Sequence, residues 1–400
     1  MYSSQYLINK LKDQPGSIIA DEAALSEAVK KNDADTDRKL MPVFEELRLK
    51  IGRDMRLDHV IFLFGNGASM YAGSKSTMDS FLQGYINDKK FLDIETELNC
   101  ICTPPLDKEG KKETKGIEEQ LNELITLRSY YNIIHDSVRE DLVSDLIKSV
   151  ETRLIADVNT IKYNQLDLHK MFLRKLRYYG SLAKTQIYTT NYDLAFEYTM
   201  DELCIQYNDG FSGFVNRLFD PRTLVESGKP SLVKIHGSVN WISEGGIIKA
   251  IQPKFTDGKV YIDDKNPALI YPTSNKLHET YSTPYSELMR HMLDEMESGS
   301  NAVIVMGYKY GDDHVNEILY KALDNPKNIF YFFIYDDPDK CDFIGKMREL
   351  GRNIPNINIL SGKVLASFDV FVKYILPAVD EKTDEEQVLN LLQKVLLKNE

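Results

Sequence analysis

Four short segments carry side chains able to do chemistry, and each follows a strand-like run. Lys234-Ile235-His236-Gly237-Ser238 holds the one histidine of seven that directly follows a buried-strand pattern and directly precedes a glycine. Imidazole is a natural general base near neutral pH, while a lone histidine also serves as a satisfied structural residue. Thr189-Thr190-Asn191-Tyr192-Asp193 places an amide and a carboxylate just past a strand pattern. At the carboxyl edge of a sheet an amide can hold a water or a ribose hydroxyl; alternatively, Asn191 caps the next helix and Asp193 favours its positive end.

Gly65-Asn66-Gly67-Ala68-Ser69 follows the apolar run Val60 to Phe64 and precedes a stretch able to be helical. Exposed backbone N–H groups and a helix dipole at such a junction can hold a pyrophosphate. Met70 stands where the usual dinucleotide fingerprint has its third glycine, and no acidic strand end follows about twenty residues on, so a tight turn is the competing reading. Gly307-Tyr308-Lys309-Tyr310-Gly311-Asp312-Asp313-His314 reads as a second ligand-facing loop. Its Asp-Asp-His cluster suggests a metal only weakly, because no matching second cluster exists; capping of a helix by Asp312 or Asp313 is the expectation. Asp336 and Asp337, past the strand pattern of Ile329 to Tyr335, either bind ribose hydroxyls or form a turn before Pro338.

The elements that must position these segments read as alternating strands and helices. Val60 to Phe64, Gln186 to Thr190, Leu232 to Ile235, Ala302 to Met306, Ile329 to Tyr335 and Asn356 to Leu360 have strand character, with helical stretches between most of them. About 120 residues separate the first two, where a plain βαβ crossover needs about 30. Helical faces fill that gap: Ile117, Leu121, Leu124 and Ile125; Val138, Leu142, Leu146 and Val150; Leu168, Phe172, Leu176 and Tyr179. Leu40, Val43, Phe44, Leu47 and Ile51 make a further amphipathic helix before the first strand.

The segment Cys102 to Gly116 is the most loop-like, and residues 383–398 form a helix capped by Thr383 and Glu386. The basic run His169, Lys170, Arg174, Lys175 and Arg177 is expected on a solvated face. The fold class is therefore α/β, a doubly wound Rossmann-like parallel sheet with a large helical insertion and terminal helices. Residues 1–57 form an N-terminal helical segment and 58–380 the main domain, with the insertion at about 91–183. Residues 381–400 form a terminal amphipathic helix.

Composition narrows the function classes. With 61 acidic and 49 basic side chains the net charge is -12, which disfavours phosphate-backbone binding. Four cysteines, at 100, 102, 204 and 341, form no CxxC pair, so no structural zinc is indicated and a reducing cytoplasm is the natural setting. The apolar runs fall far short of the roughly 18 residues of a membrane span. Residues Met1 to Ser17 show no export signal.

Taken together and in this order, the junctions resemble the sirtuin family. Its GAGxS phosphate loop, TxNxD segment and HG dipeptide have counterparts in Gly65 to Ser69, Thr189 to Asp193, and His236-Gly237. The Gly307-Tyr308 and Gly311-Asp312-Asp313 stretch looks like the GYSxGDxH form of the bacterial sirtuin-like branch. The resemblance covers about residues 58–362. It implies that Asn191 positions the attacking water or ribose, His236 acts as base and Asp193 orients ribose. It also implies that Gly65, Asn66, Gly67, Ala68, Ser69, Thr190, Gly307, Tyr308 and Asp336 bind NAD.

The departures bear on chemistry. The two zinc-binding CxxC pairs of deacylases are missing, and Tyr71-Ala72-Gly73-Ser74-Lys75 replaces their GIPDFR-like segment. Losing peptide-binding elements while keeping Asn191 and His236 biases an oxocarbenium-like intermediate toward water. The expectation is an NAD glycohydrolase yielding nicotinamide and ADP-ribose, with NAD as substrate and no zinc or other metal. Zinc-free bacterial relatives resemble NAD-depleting effectors of anti-phage defence, which implies a cytoplasmic homo-oligomer and a HerA-type ATPase partner. An NAD-dependent protein deacylase and a non-catalytic NAD or ADP-ribose sensor are the alternatives.

Overall fold

The structure, a computed structural model, describes residues 2–3, 22–31, 34–74, 85, 88–102, 117–158, 160–225, 228–261, 267–269, 283–335, 338–340, 342–353 and 356–377. The loop-like segment 103–116, the terminal helix expected at 383–398, and Asp336 with Asp337 lie outside the described residues.

Fourteen strands among the described residues, numbered along the chain, form three sheets. The main sheet is parallel at every pairing and holds β1 (Tyr2–Ser3), β2 (His59–Phe64), β3 (Thr185–Thr189), β6 (Ser231–Lys234), β12 (Asn301–Met306), β13 (Ile329–Ile334) and β14 (Ile357–Ser361). Its spatial order is β1-β14-β13-β12-β2-β3-β6. Strand β2 sits centrally; the chain builds outward to β6, then returns to β12 on the other side and builds outward again. That reversal is the doubly wound, Rossmann-type order, and its switch point lies between β2 and β12.

Apolar residues on both faces explain why these strands are parallel and central. Along β2, Val60, Phe62 and Phe64 enter one core, whereas Ile61 and Leu63 enter the other. The first core is closed by α1 (Glu22–Lys31), α2 (Ala34–Asp54) and the segment Phe368 to Leu376, and the face of α2 formed by Leu40, Val43, Phe44, Leu47 and Ile51 is buried there. Helices α3 (Glu95–Cys102), α4 (Ile117–Ile133) and α5 (Ser137–Val158) pack on one another around Phe91, Leu121, Leu124, Leu146 and Val150. Val138, expected on the inner face of α5, is exposed at the tip of the α4–α5 hairpin, and Val143 and Ile147 are buried.

Helix α6 (Asp167–Tyr178) leads into β3, and α7 (Ala195–Glu202) follows it. The basic run on α6 departs from expectation, because His169 and Lys175 are buried. The Lys175 ammonium donates to the carbonyls of Val372 and Lys373 at 2.7 and 3.1 Å, tying α6 to the chain's last described segment. On the opposite face, α8 (Tyr285–Glu297), α9 (Asp313–Ala322) and α10 (Asp342–Asn353) contribute to the second core.

Helix-strand alternation fails between β3 and β12. Strands β4 (Phe211–Ser212), β5 (Arg217–Phe219), β7 (Gly237–Glu244), β8 (Ile247–Ala250) and β11 (Pro267–Leu269) form an antiparallel sheet, and β9 (Lys254–Thr256) pairs with β10 (Lys259–Tyr261). Two turns explain it. Gly245-Gly246 and Asp257-Gly258 all have positive φ, which is what two-residue hairpin loops require.

Candidate active site

The four chemistry-bearing segments follow the carboxyl ends of β2, β3, β6 and β12, which are consecutive neighbours in the sheet. Parallel pairing therefore brings them to one edge. At the switch point the two glycine loops pack backbone to backbone. Gly65 N donates to Met306 O and Gly67 N to Gly307 O, each at 3.0 Å. A Cβ on Gly65 would stand 2.4 Å from Gly307 O, and one on Gly67 would stand 2.6 Å from Gly307 Cα. Gly307 itself has φ of 68°, in the left-handed region.

This contact corrects one part of the sequence reading. After Gly65 the chain forms short 3-10 turns, Asn66–Ala68 and Met70–Ala72, rather than opening a long helix among the described residues. Ala68 N bonds Gly65 O at 3.1 Å and Ser69 N bonds Asn66 O at 3.0 Å. The amides of Gly65, Gly67, Ala68 and Ser69 are thus all used inside the protein. A pyrophosphate here cannot rely on those four amides while the turns keep this form.

Asn191 and Asp193 part company in their roles. Thr190 N bonds Phe64 O at 3.0 Å, and Asn191 N bonds Thr189 Oγ1 at 3.0 Å, which fixes the start of the loop after β3. The buried Asn191 carboxamide does not cap α7; its Nδ2 donates to Ser69 Oγ at 3.3 Å, reaching across to the first glycine loop. Asp193 Oδ1 accepts from Ala195 N at 2.9 Å at the start of α7, so the contact expected of Asn191 is made by Asp193. Burial holds the Asp193 carboxyl above the usual carboxylate range, partly opposed by Lys234, the Ala195 amide and Ser69.

Lys234, in β6, was not singled out from the sequence. Its ammonium is buried and donates to Tyr192 O at 3.1 Å, Glu197 Oε1 at 2.9 Å, Ser238 Oγ at 2.8 Å and, more closely, Asp193 O. It therefore pins the 191–193 loop to both α7 and β7. Val239 N adds a bond to Tyr192 O at 3.0 Å. A lysine inside the apolar run Leu232 to Ile235 was the available signal, since a buried ammonium demands several acceptors.

His236 turns off the end of β6, where Gly237 with φ of 89° reverses the chain. Its ring is 4% exposed, and its Nε2 lies 2.8 Å from Nε2 of His314, itself 7% exposed in the first turn of α9. Asp312 is the N-cap residue of α9, yet its side chain makes no capping hydrogen bond. Its carboxylate instead groups with the two imidazoles, the three donor atoms lying within 4.8 Å of one another. Linear spacing could not show this, because His236 and His314 stand 78 positions apart in the chain. The Tyr308 hydroxyl bonds Asp312 O, Asp312 N and Asn316 Oδ1 at 3.1 to 3.2 Å, so this side chain braces its own loop.

None of the curated proteins matches the chain. Similar solved structures include a Sir2 homologue in complex with NAD, 12% identical, covering 82% of this chain and 93% of that one with a TM-score of 0.40. A mutant Sir2 homologue in complex with ADP-ribose is 11% identical, covering 82% of this chain and 95% of that one with a TM-score of 0.40. Residues 185–350, from the start of β3 into α10, match the family model described as a SIR2-like domain; Asn191, Asp193, His236 and the Gly307–His314 loop lie within that span, and Gly65–Ser69 precede it.

Proposed function

We propose that the chain is an NAD glycohydrolase. The observation that carries this reading is the placement of Asn191 and His236 after the adjacent strands β3 and β6, with the Asn191 carboxamide directed at Ser69 of the neighbouring glycine loop. The SIR2-like match over 185–350 supports the choice of dinucleotide.

The reaction breaks the bond between ribose C1′ and the pyridinium nitrogen, whose electron pair leaves with neutral nicotinamide. The ribose passes through an oxocarbenium-like state. Water, positioned by the Asn191 amide, attacks C1′, and His236 takes its proton, giving ADP-ribose. The side chains of Asn66, Ser69 and Thr190, with the backbone of Gly307 and Tyr308, line the dinucleotide. Asp336 contributes to the ribose hydroxyls, and Asp193 orients ribose through the loop it anchors. As the sirtuin resemblance implies, the enzyme works as a cytoplasmic, oligomeric NAD-depleting defence effector restrained by a partner ATPase.

Purified protein, with and without such a partner, is incubated with NAD while nicotinamide is measured. Asn191→Ala and His236→Ala are each expected to slow release by about 10²–10⁴-fold. Unchanged rates in both variants reject the assignment. Saturable binding of NAD with no nicotinamide released, partner included, favours the sensing alternative, and an acylated ADP-ribose product from acyl-lysine peptide favours the deacylase.

A further inference from the structure

Two imidazoles and a carboxylate converge beside the end of β6 and the first turn of α9. The Nε2 atoms of His236 and His314 face each other at 2.8 Å, and an Asp312 oxygen completes a group spanning no more than 4.8 Å. Both rings are buried, and Asp312 is half-buried. Two imidazole nitrogens so close have room for one proton between them, never two. A cation held by both lone pairs is the other arrangement that satisfies them.

We infer that His236 Nε2, His314 Nε2 and the Asp312 carboxylate form a three-ligand site for a borderline-soft divalent transition ion of the zinc class, with a fourth position open. Zinc–nitrogen bonds of about 2.0–2.1 Å in tetrahedral geometry set the two nitrogens roughly 3.3 Å apart. The ring pair therefore opens by about half an ångström to admit the ion. Imidazole donors disfavour Mg2+ and Ca2+, which take oxygen ligands, and the absence of a thiolate from the group disfavours copper(I).

The surroundings are built to hold such ligands in place. The Tyr308 hydroxyl bonds both the amide and the carbonyl of Asp312, and the Gly237 turn fixes where His236 leaves the sheet. Neutral imidazoles and one carboxylate leave a bound dication with one net positive charge. The positive end of α9 opposes it, and Asp313 in the first turn of α9 offsets that repulsion. One consequence rests on the reading of His236 as base: an ion on its nitrogen removes the lone pair that would accept the proton, so the metal-loaded chain is inactive.

Full-length protein stripped with a chelator is titrated with Zn2+ in competition with a chromophoric chelator. One ion per chain is expected, weakened at least about 10-fold by His314→Ala and by Asp312→Asn. Replacing the exposed Cys100 and Cys204 with serine leaves it unchanged. Zinc-edge X-ray absorption of the wild-type chain, which depends on no variant folding, should show two imidazole ligands. Lack of stoichiometric binding, binding that survives His314→Ala, or a spectrum without two imidazoles overturns the site. If zinc binds through these residues while wild-type nicotinamide release continues undiminished, the site stands and the role of His236 as base falls.

Discussion

The ammonium of Lys234 is 2% exposed and shares its protons among two carbonyls, a hydroxyl and the Glu197 carboxylate. Lys234→Met would leave the Glu197 carboxylate and Asp193 O without this donor, while Tyr192 O keeps Val239 N. A loss of about 3–5 kcal/mol in urea unfolding is expected, and the double variant with Glu197→Gln should lose clearly less than the sum of the two single changes. His169 offers a test by pH. Its hydroxyl partner Tyr71 accepts from the His169 amide at 3.2 Å and meets Nδ1 at 2.7 Å, while Nε2 is buried beside Phe196 and Phe368. Burial pulls the His169 pKa from 6.5 down to about 3. For a base whose folded value is depressed, nothing is lost above the unfolded pKa. Below it the neutral ring costs stability at about 1.4 kcal/mol per pH unit until the folded value is reached. Against His169→Asn, wild-type stability should therefore fall with that slope between pH 6.5 and 5, and equal slopes for the two proteins would contradict the burial argument.

Among the elements, the pair of glycine loops at the switch point is the most constrained. A methyl group on Gly67 meets the Gly307 backbone, which has no flexible side chain to move aside. Gly67→Ala is expected to destabilise the fold by about 1–3 kcal/mol, read from the urea midpoint, and to spread the β2 and β12 loops apart. The sequence offered Gly65 to Ser69 as a phosphate-holding loop, and what lies against its glycines is another loop of the same chain. The parallel strands were legible because residues such as Val60 to Phe64 are apolar on both faces. The β-rich segment was not, because its strands are as short as two residues and their pattern gives little period to read. Gly245-Gly246 and Asp257-Gly258 were the legible hairpin marks within it.

For the whole molecule, ligand linkage provides the broadest check. A ligand bound only by the folded chain adds about 2.7 kcal/mol at a hundred times its Kd. NAD added to the His236→Ala chain, where substrate persists, should therefore raise the thermal midpoint measurably. Absence of any shift at millimolar NAD would count against a dinucleotide site. What the sequence determined by itself was the inventory: apolar runs that must become central strands, and polar residues such as Asn191 and His236 placed just past their ends. Those readings are local, and hydrophobic periodicity carries them. Only the tertiary structure decided that β6, β3, β2 and β12 are consecutive neighbours, that Asn191 reaches Ser69 rather than capping α7, and that His236 meets His314. Such contacts join residues tens to more than a hundred positions apart, and strand order and register, which set them, leave no periodic trace in the chain.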